Sequence, residues 1–187
     1  MRRAHRALAI VLALFLALHL GNHLAGLAGQ DVHGQVQRVL RVLYRHPLVE
    51  PLLLAAVGLQ VMLGLALVIR RRRWTRQTIS GGYLVLFLGV HLGAVLLARV
   101  QGVETNLAFA AAGLHAPAPW PAVFTVYYGL AVLAVFVHLS VPLSRWSSRL
   151  GPVMLWLGGA VSLTLIALLA GLVTPLTIPP ALVAAFP

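Results

Sequence analysis

The stretch ALAIVLALFLALHLGNHLAGL, residues 7–27, decides the fold class of this protein. It contains no arginine, lysine, aspartate or glutamate, and as a helix it is long enough to cross the ~30 Å hydrocarbon core of a bilayer. It nevertheless carries two histidines, His19 and His23, on one helical face. Ionisable side chains are expensive inside a membrane, so both histidines are candidates for a functional role.

The rest of the 187-residue chain has the same apolar character. Hydrophobic residues make up 60% of it and charged residues only 9%, which is more apolar surface than a soluble domain can bury. Four further apolar runs are long enough to span a membrane, at 48–70, 79–99, 122–143 and 151–175. We therefore predict an all-α integral membrane bundle of five transmembrane helices, forming one domain over residues 1–187. The first run looks like a signal peptide, but no cleavage site precedes a soluble domain, so we expect it to remain as a span.

The net charge of +11 comes from fourteen arginines and only three acidic residues. Most of the arginines lie at the ends of apolar runs, where they orient spans in a membrane, so we exclude nucleic acid as a partner. With the N-terminus inside, ten arginines fall on the inner side and four on the outer side. This bias predicts an inside N-terminus in a bacterial cytoplasmic membrane. The chain has no cysteine and therefore supplies no thiolate ligand.

The connection after the first span contains an amphipathic segment at about 34–45. Apolar side chains recur there at helical spacing, opposite three arginines: Val36, Leu40, Leu43 and Tyr44 against Arg38, Arg41 and Arg45. This pattern predicts a short interfacial helix that lies on the membrane surface.

The tripeptide His-Leu-Gly of the first span returns in the third span as His91–Gly93. Both spans run from inside to outside, and His19 and His91 each lie roughly 18 Å from the inner end of their span. Two neutral imidazoles at one depth suit the two axial positions of a haem iron. We therefore predict His19 and His91 as metal ligands. Gly21 and Gly93 would let the flat macrocycle or a neighbouring helix approach the backbone.

The remaining polar groups near this level are candidates for the haem propionates. His23 lies one turn outside His19 and suits such a contact better than a second ligation. Arg38 and Arg99 are further candidate partners, together with Arg41 and Arg45. The other histidines outside the predicted spans are interpreted as solvated or facing lipid headgroups. They are His5, His33, His46 and His115.

The sequence does not support a second haem on the inner side. His138 lies near the inner end of the fourth span, but the second span offers Gln60, a poor haem ligand, where a partner histidine would be needed. A different class of haem cytochrome places two histidines about four turns apart on one helix. That class is also disfavoured, because none of the predicted spans carries such a pair.

Two other readings remain open for the span histidines. They could simply form hydrogen bonds between helices, in which case the protein is a haemless membrane scaffold of the same fold. A transporter is the weakest alternative, because we see no inverted repeat and no pair of broken helices. The three acidic residues form no carboxylate dyad, and no hydrolase or metalloenzyme motif is present. We therefore expect an electron-transfer or anchor subunit rather than a chain that is catalytic by itself.

Together these residues resemble the cytochrome b membrane-anchor subunit of succinate dehydrogenases and fumarate reductases, and most closely its single-chain, five-helix type. His19–His23 is similar to the first-helix haem-ligand segment of that family. Residues 76–99, from Arg76 through Ser80–Gly81 and His91 to Arg99, resemble the family's third-helix segment. Residues 127–138, from the paired tyrosines to His138, resemble its fourth-helix segment.

The resemblance implies a haem b toward the outside, held by helices one and three, and a second haem toward the inside, held by helices two and four. It also implies a quinone site, and flavoprotein and iron–sulfur subunits on the cytoplasmic side. The first haem carries over to His19 and His91. The second carries over only to His138, because Gln60 stands where the helix-two histidine is expected. We therefore expect one haem b, and we leave open whether the protein serves a succinate or fumarate enzyme.

Overall fold

The computed structural model describes residues 1–186, without the side chains of Arg2 and Arg71. The described chain is all-helical. Its α-helices are α1 (Arg2–Ala25), α2 (Gln30–Tyr44), α3 (Val49–Arg71), α4 (Arg76–Val100), α5 (Leu107–Ala111), α6 (Trp120–Leu143), α7 (Leu150–Leu169) and α8 (Pro180–Val183). Two short 3₁₀ turns, Gly26–Ala28 and Ala112–Leu114, follow α1 and α5.

Five of these helices, α1, α3, α4, α6 and α7, are long and apolar enough to cross a membrane. This confirms the prediction of an all-α chain with five candidate spans. The boundaries differ most from the prediction at two places. α1 already begins at Arg2, and α7 ends at Leu169 rather than near residue 175. Gly171, two residues after the end of α7, has a positive φ of 73° and stops this helix. Glycine adopts such a conformation at little cost.

The described chain divides into two compact units, Met1–Arg73 and the part that begins at Trp74. In the first unit, α1 packs against α3, and the imidazole of His5 lies next to Gly64. The chain then reverses after α1 at Gly29, whose φ of 121° requires glycine.

The reversal lays α2 alongside the second half of α1. The ring of Tyr44 meets Phe15 edge-on at 5.8 Å, and His33 forms a hydrogen bond with Asn22. The buried residues of α2 are polar, His33 and Gln37, whereas Val39 and Val42 are more than 70% exposed. The helix predicted at 34–45 is therefore present, as Gln30–Tyr44, and the face that it packs within the unit carries His33, Gln37 and Tyr44. Its position relative to a membrane surface stays a prediction.

In the second unit, α6 packs between α4 and α7. Tyr83 of α4 donates a hydrogen bond to the carbonyl of Tyr127 at 2.9 Å, and Ser162 of α7 donates to the carbonyl of Gly129 at 3.0 Å. Small residues bring α6 and α7 together: a Cβ on Gly158 would lie 2.5 Å from the Cβ of Phe136. Close packing at glycine is the usual way in which apolar helices associate in lipid.

The connection between α4 and α6 forms a packed cap in the second unit. Asn106 is the N-cap of α5. Its side chain accepts a hydrogen bond from the backbone N–H of Phe109 at 3.1 Å. Leu107 and Ala111 are fully buried and form a small core with Leu114 and Leu169.

Candidate functional site

The two His-Leu-Gly segments belong to a longer repeat. Residues 15–21 read FLALHLG and residues 87–93 read FLGVHLG, so a phenylalanine precedes each histidine by one helical turn. The rings of Phe15 and His19 stack with centroids 5.7 Å apart and planes 19° apart. Phe87 and His91 do the same at 5.1 Å and 14°. The phenylalanine four residues before each histidine is therefore a further sequence signal of the site, which the tripeptide alone does not contain.

Each stacked pair has further aromatic neighbours within its own unit. Phe15 contacts Tyr44 of α2, and His19 also meets His23 edge-on at 4.9 Å. Phe87 packs on Tyr127 of α6 at 4.7 Å. An aromatic ring thus covers one face of each imidazole and restricts its rotation, so the plane of each histidine is set by its own unit.

The glycines of the repeat have open space beside them within their own units. A Cβ built on Gly21 or on Gly93 meets nothing within 4 Å. The two uses predicted for these glycines, the approach of a neighbouring helix or of a flat macrocycle, stay predictions.

Packing within each unit places the two repeats in the C-terminal halves of α1 and α4, level with the starts of the helices that pack against them. In the first unit, His5 lies on Gly64, and Val49, the first residue of α3, precedes Gly64 by 15 residues. α1 and α3 cross in opposite directions, so Val49 comes level with about residue 20 of α1, close to His19. In the second unit, two contacts show which residues of α6 and α4 lie at the same level: His138 with Gly81, and Tyr127 with Phe87. They put the start of α6 roughly one to two turns beyond His91.

A further histidine joins the first repeat from α2. Asn22 donates a hydrogen bond from Nδ2 to Nε2 of His33 at 3.2 Å, and the ring of His33 lies 5.6 Å from that of His23. Only 1% of the surface of His33 is exposed. Burial, assisted by the positive charge of Arg41, lowers the pKa of His33 to about 4. The prediction of a solvated His33 is therefore wrong, and the side chain is a neutral imidazole at the third position of a row His19–His23–His33.

The predicted propionate partners are spread over both units. His23 lies between His19 and His33, as described above. Arg38 is exposed on α2, and Arg99 is half-buried in the last turn of α4. Their role toward a haem stays a prediction.

His138 is held at the opposite end of the second unit. Its Nδ1 donates a hydrogen bond to the carbonyl of Gln77 at 3.1 Å. The hydroxyl of Ser80, which donates to the carbonyl of Arg76 at 2.7 Å, lies 3.4 Å from the same nitrogen. A Cβ on Gly81 would lie 3.1 Å from Cε1 of His138. A proton on Nδ1 leaves the lone pair on Nε2, the state in which histidine can bind a metal.

His5 corrects two of the sequence predictions. Its imidazole packs on α3, where it forms a hydrogen bond with the main chain of Gln60, and its Nδ1 is buried. It is therefore not a solvated terminal side chain. Because α1 runs without interruption from Arg2 to Ala25, His5 and His19 lie fourteen residues apart on one helix, roughly four turns. The statement that no span carries such a pair is wrong, because the predicted first span began only at residue 7.

His115, also expected to be solvated, has a packing role. Although its side chain is exposed, its Nε2 donates a hydrogen bond to the carbonyl of Leu169 at 2.9 Å. Leu169 is the last residue of α7, where backbone carbonyls have no partner within the helix. The bond therefore ties the connection before α6 to the end of α7.

These features define a multi-pass membrane protein whose apolar helices suit contact with a lipid bilayer. The described residues include no group of three or more histidine, cysteine or acidic side chains arranged to hold a metal ion. A bis-histidine haem takes only two side chains from the protein and does not require such a group. The chain matches no protein-family model, no curated protein and no solved structure.

Proposed function

We propose that this protein is a haem b-binding membrane electron-transfer protein in which His19 and His91 are the two axial ligands, in the outer half of the bilayer. The proposal rests above all on one observation. The same local structure, a histidine stacked on the phenylalanine one turn before it and followed by an open glycine, occurs once in each unit. Helix packing alone gives no reason to repeat an imidazole, its aromatic support and an unused glycine together.

The residues around both histidines fit a haem. Bound haem b supplies a one-electron carrier. Phe15 and Phe87 offer apolar ring faces beside the imidazoles, and Gly21 and Gly93 leave backbone surface on which a flat ring can rest. His23 and the charged Arg41, both near His33, are suited to the negatively charged edge of the group. The chain's own contribution is thus to bind and orient the group and to keep water away from it.

The wider setting belongs to the same proposal. We place the N-terminus inside a bacterial cytoplasmic membrane, because arginines are concentrated on that side. The likeness to the anchor subunit of succinate:quinone oxidoreductases supports quinone as the redox partner, and flavoprotein and iron–sulfur subunits as neighbours. Comparing succinate–quinone activity in membranes with and without the gene tests this part, and unchanged activity argues against these partners.

The test of haem binding is a reduced-minus-oxidised visible spectrum of the detergent-purified protein, with a pyridine haemochrome assay for stoichiometry. We expect a b-type spectrum that His19→Ala and His91→Ala each abolish or reduce by one haem per chain. The matched control is His46→Ala, because His46 is exposed and its ring only accepts a bond from the nearby backbone N–H of Leu48. Equal haem in the His19, His91 and His46 variants contradicts the assignment.

Alanine at the open glycines separates haem contact from folding. Gly21→Ala and Gly93→Ala introduce a methyl group into empty space and favour the helix by up to ~1 kcal/mol, so the apoprotein keeps its fold. If the macrocycle rests there, both variants lose haem. Gly82→Ala is the control, since Gly82 is on the same helix as Gly93, lies three turns away from it and is equally open.

The second candidate is a haemless scaffold of the same fold. It is favoured by the packing roles that His33 and His115 have without any cofactor. The two candidates differ in one measurement. A protein purified from haem-supplemented cells that shows no absorbance of a b-type cytochrome, while a known cytochrome prepared alongside keeps its own, is the scaffold.

A further inference from the structure

One side of α1 carries arginines and apolar residues in an order that matches the parts of a phospholipid. Five residues recur there at intervals of three or four positions and are all exposed: Arg3, Arg6, Ile10, Leu14 and Leu18. Residues at this spacing lie on one side of a helix. The three apolar members are between 41% and 72% exposed. We call this surface the α1 stripe.

The α1 stripe faces away from the residues with which α1 packs in the first unit. At about 100° per residue, its five members fall within a sector of roughly 120°, and His5 and His19 lie on the opposite side of the helix. His5 contacts Gly64 of α3, and His19 meets His23, whose ring lies near His33 of α2. The first unit therefore leaves the stripe uncovered, and the stripe does not include the candidate haem ligand.

The N-terminal end of the stripe lies in a region of unbalanced positive charge. The first unit has seven arginines at this end, at positions 2, 3, 6 and 70–73. Because α1 and α3 run in opposite directions with His5 beside Gly64, Arg70 lies only roughly 6 Å beyond the level of Arg3. Glu50, in the first turn of α3, is roughly 24 Å away along the helix axis. The other acidic residue of the unit is in the first turn of α2. This distribution of charge favours an anionic ligand at the N-terminal end of α1.

The stripe has the length of one acyl chain. Leu18 follows Arg6 by twelve residues, which is roughly 18 Å along a helix, and one leaflet makes up about half of the ~30 Å hydrocarbon core. Guanidinium groups donate paired hydrogen bonds to phosphate. An arginine near a helix end can also place its charge among headgroups while its stem covers apolar surface.

We propose that the α1 stripe is a binding site for one anionic phospholipid. Its phosphate lies at Arg3 and Arg6, and an acyl chain lies along Ile10, Leu14 and Leu18. The site goes beyond the proposed function, because it uses neither the haem nor its candidate ligands.

The test is native mass spectrometry of the full-length protein in detergent, titrated with phosphatidylglycerol or with phosphatidylcholine of the same acyl chains. We expect the first phosphatidylglycerol to bind roughly 30-fold more tightly than phosphatidylcholine. This ratio corresponds to about 1 kcal/mol for each of the two guanidinium groups. Equal affinities for the two lipids overturn the inference.

A pair of double variants locates the site. Arg3→Gln/Arg6→Gln should reduce the affinity for phosphatidylglycerol to that for phosphatidylcholine, a loss of roughly 30-fold. Arg145→Gln/Arg149→Gln is the matched control, because it removes the same charge from two exposed arginines in the connection between α6 and α7. The control should bind phosphatidylglycerol like the unaltered protein. Equal losses in the two double variants show a response to net charge alone and overturn the site.

A competition experiment on the unaltered protein distinguishes a lipid from free phosphate and does not depend on the folding of a variant. Glycerol phosphate carries the phosphate of the headgroup without acyl chains. We expect that an excess of it leaves phosphatidylglycerol bound, because it makes no contact with the apolar part of the stripe. Displacement of the lipid by glycerol phosphate overturns the lipid as the occupant.

Discussion

Alanine at Gly81 should disturb the hydrogen bond from His138 to the carbonyl of Gln77, whereas alanine at the next residue should not. A Cβ on residue 81 would lie 3.1 Å from Cε1 and 3.4 Å from Nδ1 of His138, while a Cβ on Gly82 meets nothing within 4 Å. Ordinary contact begins at 3.4 Å, so the imidazole must retreat by about 0.3 Å. The hydrogen bond from Nδ1 to the carbonyl of Gln77, 3.1 Å long, then lengthens to about 3.4 Å, close to the limit for such a bond.

The two variants therefore differ by the value of that bond. Alanine in place of glycine stabilises a helix by up to ~1 kcal/mol at either position, and a typical hydrogen bond contributes about 1 kcal/mol. Gly82→Ala should be more stable than the unaltered protein, and Gly81→Ala should be close to it. For a chain of this length, 1 kcal/mol corresponds to about 2–4 °C in Tm.

Thermal unfolding in detergent, followed by circular dichroism at 222 nm, measures this difference. We expect the Tm of Gly81→Ala to lie about 2–4 °C below that of Gly82→Ala. If Gly81→Ala melts at or above the temperature of Gly82→Ala, the hydrogen bond from His138 to Gln77 does not stabilise the contact between α4 and α6.

Two further predictions concern the packing of each unit. Gly158→Ala should destabilise the α6–α7 contact by about 1–3 kcal/mol, because its methyl group would overlap Phe136 at 2.5 Å, whereas Gly159→Ala meets nothing within 4 Å and should be neutral or stabilising; equal Tm values for the two variants would contradict this packing. The second concerns pH. The pKa of His33 is lowered from 6.5 to about 4. Between these two pH values His33 is therefore protonated in the unfolded chain and neutral in the folded chain. Stability is full above pH 6.5 and falls by up to about 3 kcal/mol as the pH drops toward 4. Thermal unfolding at pH 7.5 and pH 5 should show this loss in the unaltered protein and not in His33→Gln; an identical pH dependence in the variant argues against a buried neutral His33.

Much of the fold was predictable because apolar length is a local property. Five runs long enough to cross a membrane appear as five helices, and the separate helix after the first span is also present. The predicted first span begins later than α1, because an apolar run stops at charged residues whereas helical hydrogen bonding continues through them. Arg3 and Arg6 lie within α1, and His5 lies between them. For this reason hydropathy alone does not place His5 and His19 on one helix.

The environment of α2 shows what periodicity cannot decide. Its sequence indicates which residues share a face, but not what that face meets. The predicted apolar face grouped Leu43 with Tyr44, whereas the structure packs Tyr44 on Phe15 and leaves Leu43 exposed. The residues that it buries on α2 are His33 and Gln37. The burial of His33 depends on Asn22, eleven residues away on another helix, and no helical pattern within α2 contains that information.

The sequence by itself determined the all-helical class, the number of candidate spans, and the two His-Leu-Gly segments that mark the candidate site, since each depends on residues close together in the chain. Only the tertiary structure decided which histidines are held and by what. The phenylalanine that supports each stacked histidine could be predicted from the sequence, because it lies one helical turn before the histidine. The positions of His5 and His138 could not be predicted in this way, because His5 meets Gln60 and His138 meets Gln77 across more than fifty residues. Those contacts exist only because α1 packs on α3 and α4 on α6, so the backbone carbonyl that each histidine uses is chosen by helix packing.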